Sequence, residues 1–134
     1  MIRAYQGVDI VEVAAVRRVG ERHERFLAEV FTRGERDYCA AQADPFVHLA
    51  GRFAAKEAAM KALGVGLAGL GGSAAFGDIE VVRRTSGEPE LALSGWVAEV
   101  AGQRRVTQAS LSIAHSGGFA IAAVLLLAAP GEGR

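Results

Sequence analysis

The residues of this sequence best suited to chemistry are two carboxylates and the cations around them. Glu57 lies in Arg52-Phe53-Ala54-Ala55-Lys56-Glu57-Ala58-Ala59-Met60-Lys61, directly after Lys56 and four residues before Lys61. At about 100° per residue, Leu49, Phe53, Met60 and Leu63 form an apolar stripe with Lys56 in its middle, and Glu57 and Lys61 share its edge beside Ala50 and Ala54. Small neighbours permit a ligand or another backbone to come close. A carboxylate between two ammonium groups suits phosphate and metal binding. The same spacing also describes a surface i,i+4 pair worth about 0.3 kcal/mol, with Lys56 snorkelling from the core, and spacing alone leaves both readings open.

Asp9 is the second carboxylate. It sits inside Gly7-Val8-Asp9-Ile10-Val11-Glu12, among β-branched residues. Aspartate is depleted in strands, and burying one without a partner is costly. Either Asp9 faces solvent or caps the next helix, or it converges with Glu57 on a hard cation. Mg²⁺ takes oxygen ligands and is typically held by one or two carboxylates together with substrate phosphates.

The elements that must position these groups follow from pattern. Residues 2–13 read as a strand and 12–30 as one helix with Arg17, Arg18, Arg22 and Arg25 on a basic side. Arg18, Arg22 and Arg25 follow i, i+4, i+7 spacing and share a face, either a solvated surface or a docking patch. Thr32-Arg33-Gly34-Glu35 has the form of a capping box opening a short helix to Ala41. Asp44-Pro45 opens a long helix that ends at Leu63, with Gly64 as its stop. Residues 64–77 are rich in glycine and read as the least ordered stretch. Strands are expected at 78–84 and 90–94 around a turn, a short helix at 96–101, and closing strands at 109–114 and 119–127 joined by His115-Ser116-Gly117-Gly118. Residues 130–134 read as a frayed tail. Together these describe one α+β domain over residues 1–134, with mostly antiparallel strands and one long helix.

Composition narrows the class. The 134 residues carry 15 basic and 15 acidic side chains, a balance that argues against a non-specific nucleic-acid binder. The single cysteine, Cys39, reads as a small buried side chain in a reducing compartment. The longest apolar run, residues 119–130, is shorter than the about 20 residues a spanning helix needs. No charged segment with a following apolar run opens the chain. A cytoplasmic protein without membrane attachment is expected.

Several segments, in order, resemble the holo-acyl-carrier-protein synthases of the 4′-phosphopantetheinyl transferase superfamily. Gly7-Val8-Asp9-Ile10-Val11-Glu12-Val13 resembles the opening G-[IV]-D-[IV]-x-E motif, and Phe31-Thr32-Arg33-Gly34-Glu35 resembles L-T-x-x-E. The run from Leu49 to Ala58, with Lys61-Ala62-Leu63-Gly64, is similar to [FW]-[AS]-x-K-E-[AS]-x-x-K-A-x-G. Asp78-Ile79-Glu80-Val81, Gly87-Glu88-Pro89, and Ser110-Leu111-Ser112-Ile113-Ala114-His115 with Phe119-Ala120 resemble the later motifs. The chain departs from the pattern at Val65, where threonine is usual, at the additional residue before His115, and at Ser116.

The resemblance implies an enzyme that moves 4′-phosphopantetheine from coenzyme A to a serine of an apo acyl carrier protein. It implies Mg²⁺ held by Asp9 and Glu57, and Lys61 stabilising phosphate charge. Arg52, His48 and Lys56 would serve the nucleotide phosphates and His115 the 3′-phosphate. Gly64 and Gly66 would let backbone approach the ligand, and Pro89 would border the adenine, in a homotrimer with sites between subunits. Glu57, or a water held by Asp37, would act as general base, with Glu57 preferred. Because carrier proteins are acidic, Arg18, Arg22 and Arg25 would form the docking face. A Mg²⁺-dependent hydrolase of coenzyme A pyrophosphate and a catalytically impaired paralogue are the alternatives.

Overall fold

The protein is described by a computed structural model covering residues 1–65 and 74–131. Its first strand, β1 (Arg3–Glu12), leads directly into helix α1 (Val13–Arg22). Helices α2 (Glu24–Val30), α3 (Arg33–Ala40) and α4 (Pro45–Leu63) follow. A single helical turn, α5 (Ala74–Gly77), precedes the hairpin of β2 (Ile79–Arg83) and β3 (Pro89–Leu93). Helix α6 (Gly95–Gln103) and the long hairpin of β4 (Val106–Ser116) and β5 (Phe119–Ala128) complete the fold. The α+β architecture matches expectation. One antiparallel sheet has the order β1-β5-β4, and β2 pairs with β3 in a second.

Helix α4 lies across the inner face of the sheet, packed on β1 and β5. The inward residues of β5 (Ala120, Ala122, Val124, Leu126 and Ala128) are buried beneath it. Where β1 crosses α4, Gly7 makes the approach possible. A Cβ at Gly7 would run into the carbonyl oxygen of Ala58 and fall 2.8 Å from the Ala62 nitrogen. The small side chains of α4 bring helix and strand into backbone contact. Twelve of the nineteen α4 residues are buried. The single apolar stripe expected from periodicity is therefore too narrow, because the sheet covers one side of the helix and α1, α3 and β2 cover others.

The helix signals are realised as chemistry predicts. Thr32 Oγ1 accepts from the Glu35 nitrogen at 3.2 Å and the Thr32 nitrogen donates to Glu35 Oε1 at 2.9 Å, closing the capping box. Asp44 accepts from the Phe46 nitrogen, and Gly64 ends α4 at φ +71°, a left-handed conformation that favours glycine.

Three expectations are corrected. The helix read over residues 12–30 is broken at His23, whose extended backbone (φ −131°, ψ 94°) separates α1 from α2. The break lets Phe26 turn inward, its ring 6.2 Å from Phe31 and 6.1 Å from Phe53, a tertiary gain that periodicity does not register. Of the glycine-rich stretch read as least ordered, residues 66–73 lie outside the described residues, and the end of it is corrected, because α5 forms at 74–77 and buries Phe76 against Phe53 at 5.4 Å. Finally, His115 and Ser116 belong to β4. The turn is Gly117-Gly118 alone, with φ +56° and +82°, the geometry of a tight two-residue hairpin.

Candidate active site

Two clusters of polar side chains form along α4. The first joins β1 to the middle of the helix. Asp9 is 8% exposed, and its Oδ1 accepts from Lys61 Nζ at 2.8 Å. The same ammonium donates to the Val8 carbonyl at 3.2 Å. Glu57, one helical turn before Lys61, is half-buried beside Asp9. Burial raises the Glu57 pKa above its ordinary value of 4.5, the charge of Asp9 raises it further, and Lys61 opposes both. Lys61 is held as an ammonium, its pKa raised by the hydrogen bond to Asp9 and by that residue's charge. Asp9 of β1 is thus brought beside Glu57 and Lys61 of α4, with Asp9 and Lys61 52 residues apart in the chain.

The donor set fits a hard cation. Asp9 Oδ2 is buried and has no hydrogen-bond partner, a costly state for a carboxylate oxygen. Glu57 stands beside it with a proton affinity raised by burial and then by the Asp9 charge, a repulsion that a divalent ion would relieve. No group of three or more His, Cys, Asp or Glu side chains converges on a point among the described residues. Two carboxylates would therefore leave the other positions to water and substrate oxygens, as Mg²⁺ prefers.

The second cluster lies around the first half of α4. Arg52 is 5% exposed, its guanidinium stacked 4.3 Å from the Tyr38 ring centroid, and its Nε has no partner. His48 packs edge-on against Tyr38 at 5.9 Å and His115 at 6.0 Å. His115 Nε2 lies 3.1 Å from the Val47 carbonyl, beside Gly51, where a side chain would press on the imidazole. Arg83 reaches Tyr38 from β2, bonding its hydroxyl and stacking on its ring. The His48 pKa is lowered by burial and then by the charges of Arg52, His115 and Arg83. Such a gathering of cations, with a buried guanidinium donor left over, suits a phosphate. His48, Arg52 and His115 are brought together. Tyr38 and Arg83 were not legible beforehand, since neither follows from the spacing of α4. The aromatic on the inner side of α3 was the available signal.

Other expected residues lie elsewhere. Lys56 is corrected: it is fully buried and paired with Glu35 Oε1 at 2.8 Å, so its ammonium is closed to a nucleotide phosphate. Burial lowers its pKa, against the pull of Glu35. Asp37 is exposed on α3 and paired with Arg33 at 3.8 Å. Arg18 and Arg22 are exposed on α1, but Arg25 belongs to α2, so the single helical face expected for the three is interrupted at His23. Arg18 also lies 3.6 Å from Glu12. Pro89 opens β3 opposite Arg83. Gly64 caps α4, Val65 packs on the core, and Gly66 lies outside the described residues. Cys39 is fully buried, and burial pushes its thiol up to about 11, an inert side chain as expected.

The Glu57 shift has a consequence for stability. A carboxyl whose pKa is raised in the fold binds its proton more tightly there than in the unfolded chain. This group therefore favours folding at low pH, and its contribution is lost as pH rises from the unfolded value through the raised folded one. At pH 7 the ionised carboxylate costs stability in the metal-free protein. Glu57→Gln is expected to fold, to melt at or above the parent temperature at pH 7 without metal, and to lose the transfer activity that the resemblance implies. Differential scanning calorimetry and turnover at saturating Mg²⁺ check this, and near-normal turnover would remove Glu57 from the site.

Comparison with known proteins identifies the family. A family model described as the 4′-phosphopantetheinyl transferase superfamily matches residues 6–124. The chain is 44% identical over 117 residues to the holo-[acyl-carrier-protein] synthase of Carboxydothermus hydrogenoformans, covering 87% of this chain and 91% of that protein. It is 46% identical to the synthase of the same name from Anaeromyxobacter dehalogenans, covering 90% and 92%. The structure superposes on the ACPS–CoA complex of Chronobacterium ammoniagenes with a TM-score of 0.82 and 29% identity, covering 96% and 99% of the two chains. With its motifs matched in order and its fold shared, the chain belongs to the 4′-phosphopantetheinyl transferase superfamily.

Proposed function

We propose that this protein is a holo-acyl-carrier-protein synthase that transfers 4′-phosphopantetheine from coenzyme A to a serine of an apo acyl carrier protein. The observation that carries the reading is the buried, unpartnered Asp9 Oδ2 beside Glu57 and the Lys61 ammonium, in a chain of this superfamily. Asp9 and Glu57 would hold Mg²⁺, which when bound offsets the charge of the coenzyme A pyrophosphate.

The serine oxygen attacks the β-phosphorus, the bond to the α,β-bridging oxygen breaks, and adenosine 3′,5′-bisphosphate leaves. Phosphoryl transfer of this kind depends mainly on positioning and charge neutralisation. Lys61 is exposed enough to leave Asp9 for a phosphate oxygen and stabilise the leaving group. Glu57, which stands in the site beside Asp9, is the group we assign to take the serine proton, in preference to exposed Asp37. Tyr38, His48, Arg52, Arg83 and His115 would bind the nucleotide phosphate.

On α4, Arg52 and His48 lie about 140° and 180° around the axis from Glu57. One protomer thus presents the metal pair and the cationic cluster on different sides of one helix, and a site that uses both is completed between subunits. The outer face of the sheet offers the means, since Val8 is 61% exposed, Ile10 59% and Phe119 41%, an apolar surface alternating with inward Asp9 on the same strand. A homotrimer is the assembly we adopt, and Pro89 would approach the adenine from a neighbour. Arg18, Arg22 and Arg25 would steer the acidic carrier. No helix among the described residues is long and apolar enough to cross a membrane; a cytoplasmic enzyme is the reading we adopt from the proposed substrates.

Incubation of purified apo carriers from fatty-acid, polyketide and peptide synthesis with coenzyme A should give, by mass spectrometry, phosphopantetheinylation of at least one, abolished by EDTA. Free 4′-phosphopantetheine with unmodified carrier would identify a hydrolase instead, and coenzyme A binding without either product an impaired paralogue. Ile10→Lys should sediment as a folded monomer and lose transfer, and an intact trimer would place the interface elsewhere. Arg22→Glu should weaken carrier binding more than coenzyme A binding in separate titrations, and equal loss of both would contradict the docking surface.

A further inference from the structure

Among the described residues, Lys56 and Glu35 form the one ion pair whose side chains are both fully buried. Its hydrogen bonds are saturated. An ammonium has three N–H donors, and these go to Glu35 Oε1 at 2.8 Å, to the Phe76 carbonyl at 2.9 Å and to the Ile79 carbonyl. Glu35 also accepts from the Thr32 nitrogen at 2.9 Å and the Val81 nitrogen at 2.8 Å. The N-cap of α3, the end of α5 and the start of β2 are thereby tied to a single residue of α4.

Net stability is a poor explanation for such a pair, because apolar residues of similar volume in its place are often neutral or stabilising. Orientation is the better one. The buried surface of α4 is largely alanine (Ala50, Ala54, Ala55, Ala58, Ala59 and Ala62), and small smooth side chains resist rotation about the helix axis weakly. A rotation of roughly 20° moves a side-chain tip about 5 Å from the axis by about 2 Å. Ligand distances in a metal site are held to within about 0.2 Å, so such a rotation would separate Glu57 from Asp9. The polar tie between α4 and β1 itself, Lys61 to Asp9, lies inside the site with an exposed ammonium and can exchange partners when ligands bind. Lys56 has no such freedom.

We propose that the buried Lys56–Glu35 pair is a positioning device that fixes the rotation of α4 and so aims Glu57, the next residue in the chain, at Asp9. It acts on divalent-cation affinity without touching the cation. This rests on the reading of Asp9 and Glu57 as the metal pair.

The test is Lys56→Met combined with Glu35→Gln, which removes both charges at similar volume. Mg²⁺ is titrated calorimetrically into the coenzyme A-saturated protein, coenzyme A is titrated separately in EDTA, and thermal melting reports the fold. A cooperative melt is expected, with Mg²⁺ affinity lowered about tenfold and coenzyme A affinity in EDTA within about twofold of the parent. Unchanged Mg²⁺ affinity in the folded variant overturns the proposal. Should the double variant not fold, Glu35→Asp, which keeps the charge one methylene shorter, decides the same question by the same titration. Asp9→Asn separates the two readings. If Mg²⁺ binding is lost there but kept in the double variant, only the positioning role fails; if it is kept in both, the metal pair itself fails.

Discussion

The contact between strand β1 and helix α4, backbone against backbone at Gly7, is the constraint on which the rest of the molecule depends. A side chain at that position would overlap the Ala58 carbonyl. Without the close approach, the Asp9 carboxylate and the Lys61 ammonium, 52 residues apart, would not meet at 2.8 Å. The sheet alternation then does two things at once. Odd-numbered positions of β1 face α4 and supply the carboxylate. Even-numbered positions carry Val8 and Ile10 outward, leaving an apolar face that a single chain does not cover.

The molecule treats its buried charges in two opposite ways. At Lys56 and Glu35 every donor has an acceptor, and the arrangement is closed to ligands. At Asp9 and Glu57 two carboxylates are crowded together, one oxygen unpartnered and one proton affinity raised. The difference separates a closed structural network from the place to which we assign a cation. Burial of charge is left uncompensated at the second and is fully hydrogen-bonded at the first, at two successive residues of one helix. The cationic cluster around Arg52 resembles the second kind, since its guanidinium is buried, stacked and incompletely bonded.

Much of the local structure was legible from residue types, because it is decided within a few residues. The capping box at Thr32, the Asp44-Pro45 helix start, the glycine stop at Gly64 and the hairpins each rest on short-range hydrogen bonds. Asp9, Glu57 and Lys61 stood out because a carboxylate in a β-branched strand and charges along an alanine-rich helix are both expensive unless used. The break at His23 was not legible, since it is driven by where Phe26 finds the Phe31 and Phe53 rings. Nor was the helical turn at α5, whose Phe76 packs against the same Phe53.

Residue types and spacing were enough for most of the elements and for the three residues to watch, because those follow from local hydrogen bonding and from the cost of placing charge among apolar neighbours; the superfamily was legible only through the resemblance of its ordered motifs. Tertiary structure alone decided which charges stay available. Lys56 and Glu57 are adjacent and equally suggestive in sequence, yet α3 and β2 close around the first, while β1 brings Asp9 beside the second. Solvent access and partner geometry depend on what packs over a side chain, and that is set by elements remote in the chain.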